Sequence, residues 1–232
     1  QEGRIRCVGS PQARFTEDAL RMLRAVRFAA QLGFAIEEET EQAITPLAGN
    51  LRDISAERIQ AELVKLLVSA HPEEMRTVYE TGMSQVFLPE FDRMMETPQN
   101  NCHHIYNVGD HTLVALQNIP CDKILRLTML LHDVAKPECQ VMDGDGIYHF
   151  YGHPAKGAVM AGQILRRLKF DNDTIDRVAS LVACHDELPT LREAPVRRAI
   201  HRIGLRQFPD LFAVKRADAL AKSPHRQEEK LA

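Results

Sequence analysis

Histidine and aspartate residues recur in the second half of the chain, several of them inside apolar segments. The residues whose types could hold a metal ion are His111, His132, Asp133, His153, His185 and Asp218. His132 and Asp133 fall within the apolar run LTMLLHDVAK, where burial of an unpaired carboxylate would cost several kcal/mol. A bound cation would offset that cost, whereas a lone histidine on an apolar helix is more often a hydrogen-bonded core residue. The pattern therefore favours a metal centre.

The order of His111, His132, Asp133 and Asp218 resembles the signature of the HD superfamily of metal-dependent phosphohydrolases. The resemblance implies that these four residues are metal ligands and that His132 and Asp133 also take part in catalysis. Their separations of 21 and 85 residues are typical of ligands delivered from three different helices. An alternative stays open, in which the pattern persists as fold scaffolding with a weak or empty site.

Three further residues extend this resemblance. Lys136 matches the lysine of the HDxxK motif, which implies a catalytic residue that faces substrate phosphate. His153 and His185 stand where two-metal members place additional ligands, so they are second-metal candidates. A mixed imidazole and carboxylate set suits Mg, Mn or Ni, among other divalent ions, and excludes a cysteine-type structural zinc site. Such an ion would lower the pKa of a bound water and polarise a phosphoryl group.

The stretch TEDALRMLRAVRF, residues 16–28, has arginines at every third position from Arg21 onwards. Its apolar period predicts a helix over about 16–32 that ends at Gly33, with the charged residues in one stripe opposite the apolar face. The simplest interpretation is an amphipathic helix with a solvated arginine face. However, residues 1–30 carry a net charge of +3, whereas the whole chain carries −3. Positive charge concentrated at one end favours the binding of polyphosphate or nucleic acid.

Motifs in the first half resemble the class II tRNA nucleotidyltransferases, which include CCA-adding enzymes and bacterial poly(A) polymerases. The segment RFTEDALRMLRAVRFAAQLGF resembles the neck helix of that family, with an EDxxR motif at Glu17, Asp18 and Arg21. The segment SAERIQAEL resembles a second motif, ERxxxEL, and RIRCVGSPQARF is similar to the hinge that leads out of the catalytic head. Together with the HD pattern, these resemblances cover most of the chain.

The resemblance implies that Asp18 and Arg21 read the base of an incoming nucleotide. Cytosine and adenine both present an exocyclic amine donor beside a ring-nitrogen acceptor, which a carboxylate and a guanidinium match. Guanine and uracil present the reverse and would leave buried groups unpaired. Arg24 and Arg27, further along the helix, would extend the nucleotide site.

Arg58 and Glu62 of the ERxxxEL motif have two interpretations. An i,i+4 surface ion pair between them would contribute a few tenths of a kcal/mol. The family resemblance instead makes the motif a brace for the nucleotide-binding helix. The sequence leaves both interpretations open.

The predicted fold class is all-α, a multi-helical neck and body followed by an HD-type helical domain with one small β-hairpin near 139–152. The hairpin prediction rests on Asp-Gly-Asp-Gly between two short apolar runs. The polar stretch TPQNNCHH sets a boundary between 1–96, the nucleotide-base and RNA-binding neck and body, and 97–232, the HD domain. In the second half, helices are expected near 107–119, 122–135, 155–169, 172–186, 192–203 and 207–222.

The composition predicts a cytoplasmic protein with a packed core. The 232 residues are 44% hydrophobic and 26% charged, which excludes a disordered chain, and the net charge of −3 excludes a globally basic nucleic-acid binder. Five cysteines without a CxxC pair indicate reduced thiols. The sequence shows no signal peptide and no long apolar run, so we expect no membrane partner. The oligomeric state stays open, a dimer included.

The function predicted from these resemblances is the C-terminal part of a tRNA nucleotidyltransferase that adds CCA, or A alone, to the tRNA 3′ end from CTP and ATP. The chain begins with Gln1 and has no strand bearing DxD after a glycine-rich turn, so we expect the Mg-dependent transferase head to be missing. The HD half would then act as a phosphatase or 2′,3′-cyclic phosphodiesterase. Bacterial poly(A) polymerase is an alternative, and a non-catalytic RNA-binding module with a vestigial HD core is an alternative of another class.

Overall fold

Helices make up most of the chain, as the apolar periodicity predicts. The computed structural model describes residues 3–99, 106–186 and 193–222. The α-helices in these ranges are α1 Pro11–Glu17, α2 Leu20–Leu32, α3 Glu38–Gln42, α4 Ala56–Leu67, α5 Met75–Glu80, α6 Ser84–Phe87, α7 Pro89–Glu96, α8 Val108–Gln117, α9 Lys123–Leu131, α10 Lys136–Cys139, α11 His153–Arg167, α12 Asn172–Cys184, α13 Glu193–Ile203 and α14 Phe208–Leu220. The 3-10 segments Thr45–Asp53 and Pro72–Glu74 lie between helices of the first half. The predicted all-α class is confirmed.

Two short sheets accompany the helices in the described part of the chain. Arg4–Ile5 (β1) pairs in parallel with Ala35–Ile36 (β2), and the sequence did not predict this pairing because two-residue strands are too short to show alternation. Gln140–Met142 (β3) pairs antiparallel with Tyr148–Phe150 (β4), with Asp-Gly-Asp-Gly in the connection. The predicted hairpin near 139–152 is therefore confirmed.

The arginine-rich stretch forms two helices, so the predicted single helix over 16–32 is wrong. Helix α1 ends at Glu17, and Asp18 adopts an extended conformation with φ −149° and ψ 101°. The Asp18 carboxylate accepts a hydrogen bond from the Leu20 amide at 3.2 Å, at the start of α2. Short polar side chains compete with helical backbone bonds in this way, which apolar periodicity does not register. Gly33 ends α2 with a φ of 65°, as predicted.

The buried apolar side chains form one continuous cluster that extends from α1 to α14. Helix α2 packs against α4, α4 against α9, and α7 against α8, so the core crosses the predicted boundary. The Arg167 guanidinium also donates to both carboxylate oxygens of Glu90, at 2.9 and 2.7 Å, between α11 and α7. Part of the stretch TPQNNCHH lies outside the described residues, and the division into 1–96 and 97–232 stays a prediction.

None of the helices in the described ranges has the length and apolar character needed to cross a lipid bilayer. Cys7, Cys121, Cys139 and Cys184 are free thiols. Cys102 lies outside the described residues, and the reduced state of the thiols stays a prediction.

Candidate metal centre and nucleotide site

The predicted metal ligands come together from five helices in the described second half of the chain. The positions are His111 in the first turn of α8, His132 and Asp133 directly after α9, His153 at the first residue of α11, His185 directly after α12, and Asp218 in the last turn of α14. Helices α8, α9 and α14 pack against one another, and α12 packs against α9, α11 and α14. This packing brings residues that are 107 positions apart within hydrogen-bond distance.

Asp133 lies at the centre of the group. Its Oδ2 atom is 3.1 Å from Nε2 of His132 and 3.8 Å from Nε2 of His111. Its Oδ1 atom is 3.4 Å from Nε2 of His153 and 3.5 Å from Nε2 of His185. The side chains of these residues are at most 10% exposed. The structure therefore arranges two histidine pairs around one buried carboxylate.

Asp218 and two lysines complete the centre. Oδ1 of Asp218 is 3.1 Å from Nε2 of His111. Nζ of Lys136 lies 2.8 Å from Oδ2 of Asp133 and also donates to the Gln99 side chain at 2.8 Å. On the other carboxylate, Nζ of Lys222 lies 2.6 Å from Oδ2 of Asp218. Each aspartate thus has its own ammonium partner.

Both aspartates are held in the ionised form. Burial alone would raise the pKa of Asp133, but the positive charges of His132 and Lys136 outweigh it and hold that pKa well below its usual range. Burial likewise opposes ionisation of Asp218, and the hydrogen bond from His111 and the charge of Lys222 hold its pKa well below its usual range. Metal binding requires carboxylates in this deprotonated state.

The four histidines turn the same ring nitrogen away from the centre. Each Nδ1 lies at hydrogen-bond distance from a backbone carbonyl oxygen: His111 with Ala221 at 3.2 Å, His132 with Met129, His153 with Phe150 and His185 with Val182, each at 2.7 Å. Because a carbonyl only accepts, each of these contacts is a hydrogen bond when Nδ1 carries a proton. Nε2 then faces the carboxylates, where it donates a hydrogen bond in the imidazolium form and offers a lone pair to a metal ion in the neutral form. Metal-binding histidines are oriented in this way by carbonyl or carboxylate partners.

Burial and the neighbouring carboxylates have opposite effects on the pKa values of the imidazoles. Burial lowers the pKa of His111 and His185, which favours the neutral form that binds metal. Burial also opposes protonation of His132, but the adjacent Asp133 carboxylate outweighs it and raises the pKa of His132. A proton and a metal ion would therefore compete for Nε2 of His132.

Unpaired atoms at the centre fit a cation. Nε2 of His132 and Oδ2 of Asp133 are buried and make no hydrogen bond of good geometry with the described residues, although Oδ2 has its ion-pair contact with Lys136. A buried group left in this state costs about 1–3 kcal/mol. The ligand atoms lie within 4.8 Å of one another in two groups, His111 with His132 and Asp133, and Asp133 with His153 and His185. The donor set and its geometry therefore fit one or two divalent ions that share Asp133.

A cavity of about 380 Å³ opens onto this centre. Its lining combines residues of the centre, namely Asp133, Lys136, His153, His185, Asp218 and Lys222, with residues 148–151 of the hairpin. A small molecule in this cavity would reach the ligand atoms and both lysines.

In the first half, Asp18 and Arg21 lie side by side but bind different partners. Oδ2 of Asp18 accepts a hydrogen bond from Nη2 of Arg58 at 2.9 Å. Nη1 of Arg21 donates to Oε2 of Glu17 at 2.6 Å. Burial opposes the charge of Asp18, but the hydrogen bonds from Arg58 and a backbone amide outweigh it and lower the pKa of Asp18. To read a base, Arg21 can use other N–H donors of its guanidinium or leave Glu17.

Arg27 is buried, so the predicted continuous stripe of solvated arginines is wrong at this position. Its Nε donates to Oε2 of Glu62 at 2.8 Å, and its Nη1 donates to the Gln31 side chain at 2.6 Å. The guanidinium also lies 3.6 Å from the ring centre of Phe28. Helical projection places Arg27 next to the apolar face, where the packing of α4 on α2 covers it.

The ERxxxEL motif connects α4 to the arginine-rich segment. Arg58 pairs with Asp18 at 2.9 Å, and Glu62 pairs with Arg27 at 2.8 Å. These contacts favour the brace interpretation over a surface ion pair between Arg58 and Glu62.

A second cavity, of about 370 Å³, lies beside this pair of helices. Its lining is basic and partly aromatic and includes Arg6, Arg14, Arg21, Arg24 and Phe28. Among the described residues, Asp18 and Arg27 are not part of the lining. Guanidinium groups beside an aromatic ring suit a phosphate chain and a nucleobase.

Comparison with known proteins agrees with the nucleotidyltransferase motifs of the first half. Residues 33–95 match a family model described as "Probable RNA and SrmB- binding site of polymerase A". An A-adding tRNA nucleotidyltransferase from Deinococcus radiodurans is 35% identical over 215 residues, which cover 87% of this chain and 49% of that protein. A CC-adding tRNA nucleotidyltransferase from Thermus thermophilus is also 35% identical, over 220 residues that cover 88% of this chain and 50% of that protein.

A solved structure shares the fold. The crystal structure of Bacillus stearothermophilus CCA-adding enzyme in complex with CTP matches 99% of this chain and 50% of that chain, with a TM-score of 0.64 and 24% identity. The chain corresponds to a region of the class II tRNA nucleotidyltransferase family. It spans about half the length of the curated relatives that it matches.

Sequence reasoning on this nucleotidyltransferase region missed residues that complete both sites. Lys222 contacts Asp218, and its position four residues later on a helical segment is a signal that could have indicated the contact. The pairing of Arg58 with Asp18 joins residues 40 positions apart, and helix periodicity carries no information about it. The aromatic residues of the hairpin were not connected to the metal centre.

Proposed function

We propose that this chain is the neck, body and HD region of an enzyme that adds nucleotides to the 3′ end of tRNA, with CTP and ATP as substrates. The observation that carries the proposal is the contact of the two family motifs, in which Arg58 of ERxxxEL holds Asp18 of EDxxR at 2.9 Å. Relatives named A-adding and CC-adding are equally identical to this chain, at 35%, so the kind and number of nucleotides added stay open.

In the proposed site, Asp18 accepts the exocyclic amine of cytosine or adenine while it keeps its bond to Arg58. This is feasible because an ionised carboxylate has about four lone-pair sites. Arg21 donates to the ring nitrogen with another of its N–H groups or after it leaves Glu17, since an exposed ion pair of that kind contributes only about 0–1 kcal/mol. Arg24, which lines the adjacent cavity, is placed for the phosphate chain, whereas Arg27 positions the helix through Glu62.

Nucleotide incorporation by the full-length protein tests this site. Asp18→Ala and Arg21→Ala are expected to lower the preference for C and A over G and U by roughly 10- to 100-fold, since a bidentate base contact contributes about 1–3 kcal/mol of discrimination. Arg52→Ala, at an exposed arginine of the 3-10 segment, is the matched control. Unchanged selectivity in both variants would contradict the assignment. Long adenosine tails as product would instead identify a poly(A) polymerase.

We further propose that the HD half is a metal-dependent phosphohydrolase that acts on phosphomonoesters or 2′,3′-cyclic phosphates. The observation that carries this proposal is the convergence of four Nε2 atoms on Asp133, one of them without a hydrogen bond of good geometry to the described residues. His111, His132, Asp133 and Asp218 would hold the first ion, and His153 and His185 would contribute to a second. When bound, a divalent ion supplies an activated water and polarises the phosphoryl oxygen.

Lys136 and Lys222 are the groups of this chain that would bind the substrate phosphate. Both line the cavity beside the centre and carry their ammonium groups next to the two carboxylates. When a cation neutralises these carboxylates, the ammonium groups are free to donate to phosphate oxygens instead. The identity of the ion, among Mg, Mn and Ni, stays open.

Metal analysis and hydrolysis of a chromogenic phosphodiester with added Ni²⁺ or Mn²⁺ test the phosphohydrolase. Asp133→Ala is expected to abolish metal binding and to lower turnover by more than about 100-fold, beyond the effect of losing a supporting residue. Asp186→Ala, at an exposed carboxylate on the rim of the same cavity, is the control. A wild-type chain with neither metal nor turnover would identify the non-catalytic module with a vestigial HD core.

A further inference from the structure

The β3–β4 hairpin presents aromatic rings at the mouth of the cavity that opens onto the metal centre. Tyr151, which follows β4 directly, is 74% exposed. Its ring stacks on the ring of His149, with centroids 5.4 Å apart and an angle of 6° between the planes. Both residues line the cavity. An exposed aromatic surface of this kind buries little in the fold itself and is available to a ligand.

The stack is pre-organised by the turn of the hairpin. Nε2 of His149 lies 2.7 Å from Oδ2 of Asp143. The other oxygen of Asp143 accepts hydrogen bonds from the backbone amides of Asp145 and Ile147, at 3.0 and 2.9 Å. The Asp-Gly-Asp-Gly sequence therefore does more than reverse the chain, because its first aspartate fixes the imidazole on which Tyr151 rests.

The same hairpin also contacts the metal centre. The carbonyl oxygen of Phe150 lies 2.7 Å from Nδ1 of the candidate ligand His153. The Lys136 ammonium lies 5.4 Å from the ring centre of Phe150. Tyr151 precedes His153 by two residues, so their Cα atoms are at most roughly 7 Å apart. Because Tyr151 lines the same cavity as Asp133 and His153, a molecule whose phosphate reaches the centre can place its neighbouring group beside Tyr151.

We propose that Tyr151, supported by His149, is a specificity-determining residue that stacks on the nucleobase of a phosphoester whose phosphate lies at the His/Asp centre. The inference rests on the proposed phosphohydrolase and narrows its substrates to base-bearing phosphoesters. Stacking on an aromatic side chain accepts every base, so the site discriminates between esters with and without a base and not between bases. Loss of the ring is expected to weaken binding by roughly 5- to 150-fold.

Binding to the full chain, measured by NMR and calorimetry in Mg²⁺, tests the inference with two ligands. Adenosine 3′-monophosphate carries a base, and β-glycerol phosphate is a phosphomonoester without one. The chain has four tyrosines and no tryptophan, so the ring protons of Tyr151 can be followed directly. We expect adenosine 3′-monophosphate to shift those protons through its ring current and β-glycerol phosphate to leave them unchanged.

The variants separate stacking from a structural role. Tyr151→Ala is expected to raise the Kd and KM for adenosine 3′-monophosphate roughly 5- to 150-fold, with those for β-glycerol phosphate unchanged. Tyr151→Phe keeps the ring and is expected to restore both values to within about twofold. Phe212→Ala removes an exposed aromatic ring of α14 outside the cavity lining and serves as the control.

Two results would overturn the inference. Equal weakening of both ligands by Tyr151→Ala would assign the ring a structural role, and no change for either ligand would exclude contact with the base. Failure of the phosphohydrolase itself has a different outcome, in which no phosphoester is hydrolysed with any metal while the ring protons of Tyr151 still shift with adenosine 3′-monophosphate.

Discussion

The two charged clusters of this chain satisfy their charges in opposite ways. In the nucleotide site, Asp18 and Arg21 are 24% and 27% exposed, and each already has an ion-pair partner. In the metal centre, the side chains are almost fully buried, and Nε2 of His132 lies 3.1 Å from Asp133 but makes no hydrogen bond of good geometry with the described residues. Asp18 and Arg21 are therefore paired without a ligand. In the metal centre, Nε2 of His132 is a buried atom that only a ligand or a proton would satisfy.

This difference determines what can be inferred from each site. A buried nitrogen without a hydrogen bond is costly, so Nε2 of His132 is expected to bind a proton or a cation. Exposed ion pairs are weak and exchange readily, so Asp18 and Arg21 are compatible with many ligands. Their assignment to a base therefore depends on the family motif and on the donor–acceptor match.

The largest expected effect concerns the buried ion pair beneath the exposed nucleotide site. Glu62→Ala would leave the buried Arg27 guanidinium without its carboxylate and is expected to lower the free energy of unfolding by about 3–5 kcal/mol. Glu57→Ala, at an exposed position of the same helix, is expected to change it by less than about 1 kcal/mol. Urea denaturation measures both, and equal losses would show that burial does not distinguish these carboxylates.

The second-largest expected effect is the stabilisation of the folded chain by a bound metal ion. At a free Mn²⁺ or Ni²⁺ concentration of 100 times Kd, binding to the folded state is expected to raise the free energy of unfolding by about 2.7 kcal/mol. His132→Ala should remove this increase, and His149→Ala, in the hairpin, should retain it. The measurement is urea unfolding with and without metal. An equal increase in His132→Ala would place the ion elsewhere.

The smallest effect concerns the exposed pair of Asp18 and Arg58. Arg58→Ala is expected to raise the pKa of Asp18 towards its ordinary value of 3.8 and to cost less than about 1 kcal/mol of stability. Because the folded-state pKa of Asp18 lies below the unfolded value, its contribution is present above the unfolded pKa and is lost as the pH falls through the folded pKa. The variant should show a smaller loss of stability over this acid range.

Added salt should affect the pKa of the exposed Asp18 more than that of the buried Asp133. Added salt at about 0.5 M should move the pKa of Asp18 in the same direction as Arg58→Ala, because exposed pairs are screened. The pKa of the buried Asp133 should stay well below its usual range. Carboxyl NMR titration follows both groups, and a salt-insensitive Asp18 would contradict the exposed character of its ion pair.

The structure brings the residues predicted for the metal centre together more completely than those predicted for the nucleotide site. His132 and Asp133 directly follow the apolar helix α9, and that contrast is visible along the chain. The hairpin was also predictable, because Asp-Gly-Asp-Gly has strong local turn preferences. The hairpin is indicated by a local turn sequence, and the metal centre by polar residues in an apolar segment that is expected to be buried.

The remaining features depend on tertiary contacts that no local pattern records. The helix break at Asp18 depends on a side-chain bond to a backbone amide two residues later, which competes with an otherwise regular helical period. Arg27 is buried because α4 packs over it and supplies Glu62. Arg24 and Arg27 both belong to the three-residue arginine spacing of α2, yet Arg24 is exposed and Arg27 is buried.

Anomalous diffraction from crystals of the chain soaked in Mn²⁺ tests the central claim most directly. We expect an anomalous peak bonded to Asp133 and to Nε2 of His132, with Lys136 released from the carboxylate. The peak should be absent from crystals of Asp133→Asn and present in those of Asp18→Asn. A wild-type map without a peak at Asp133, with both lysines still on their aspartates, would contradict the account.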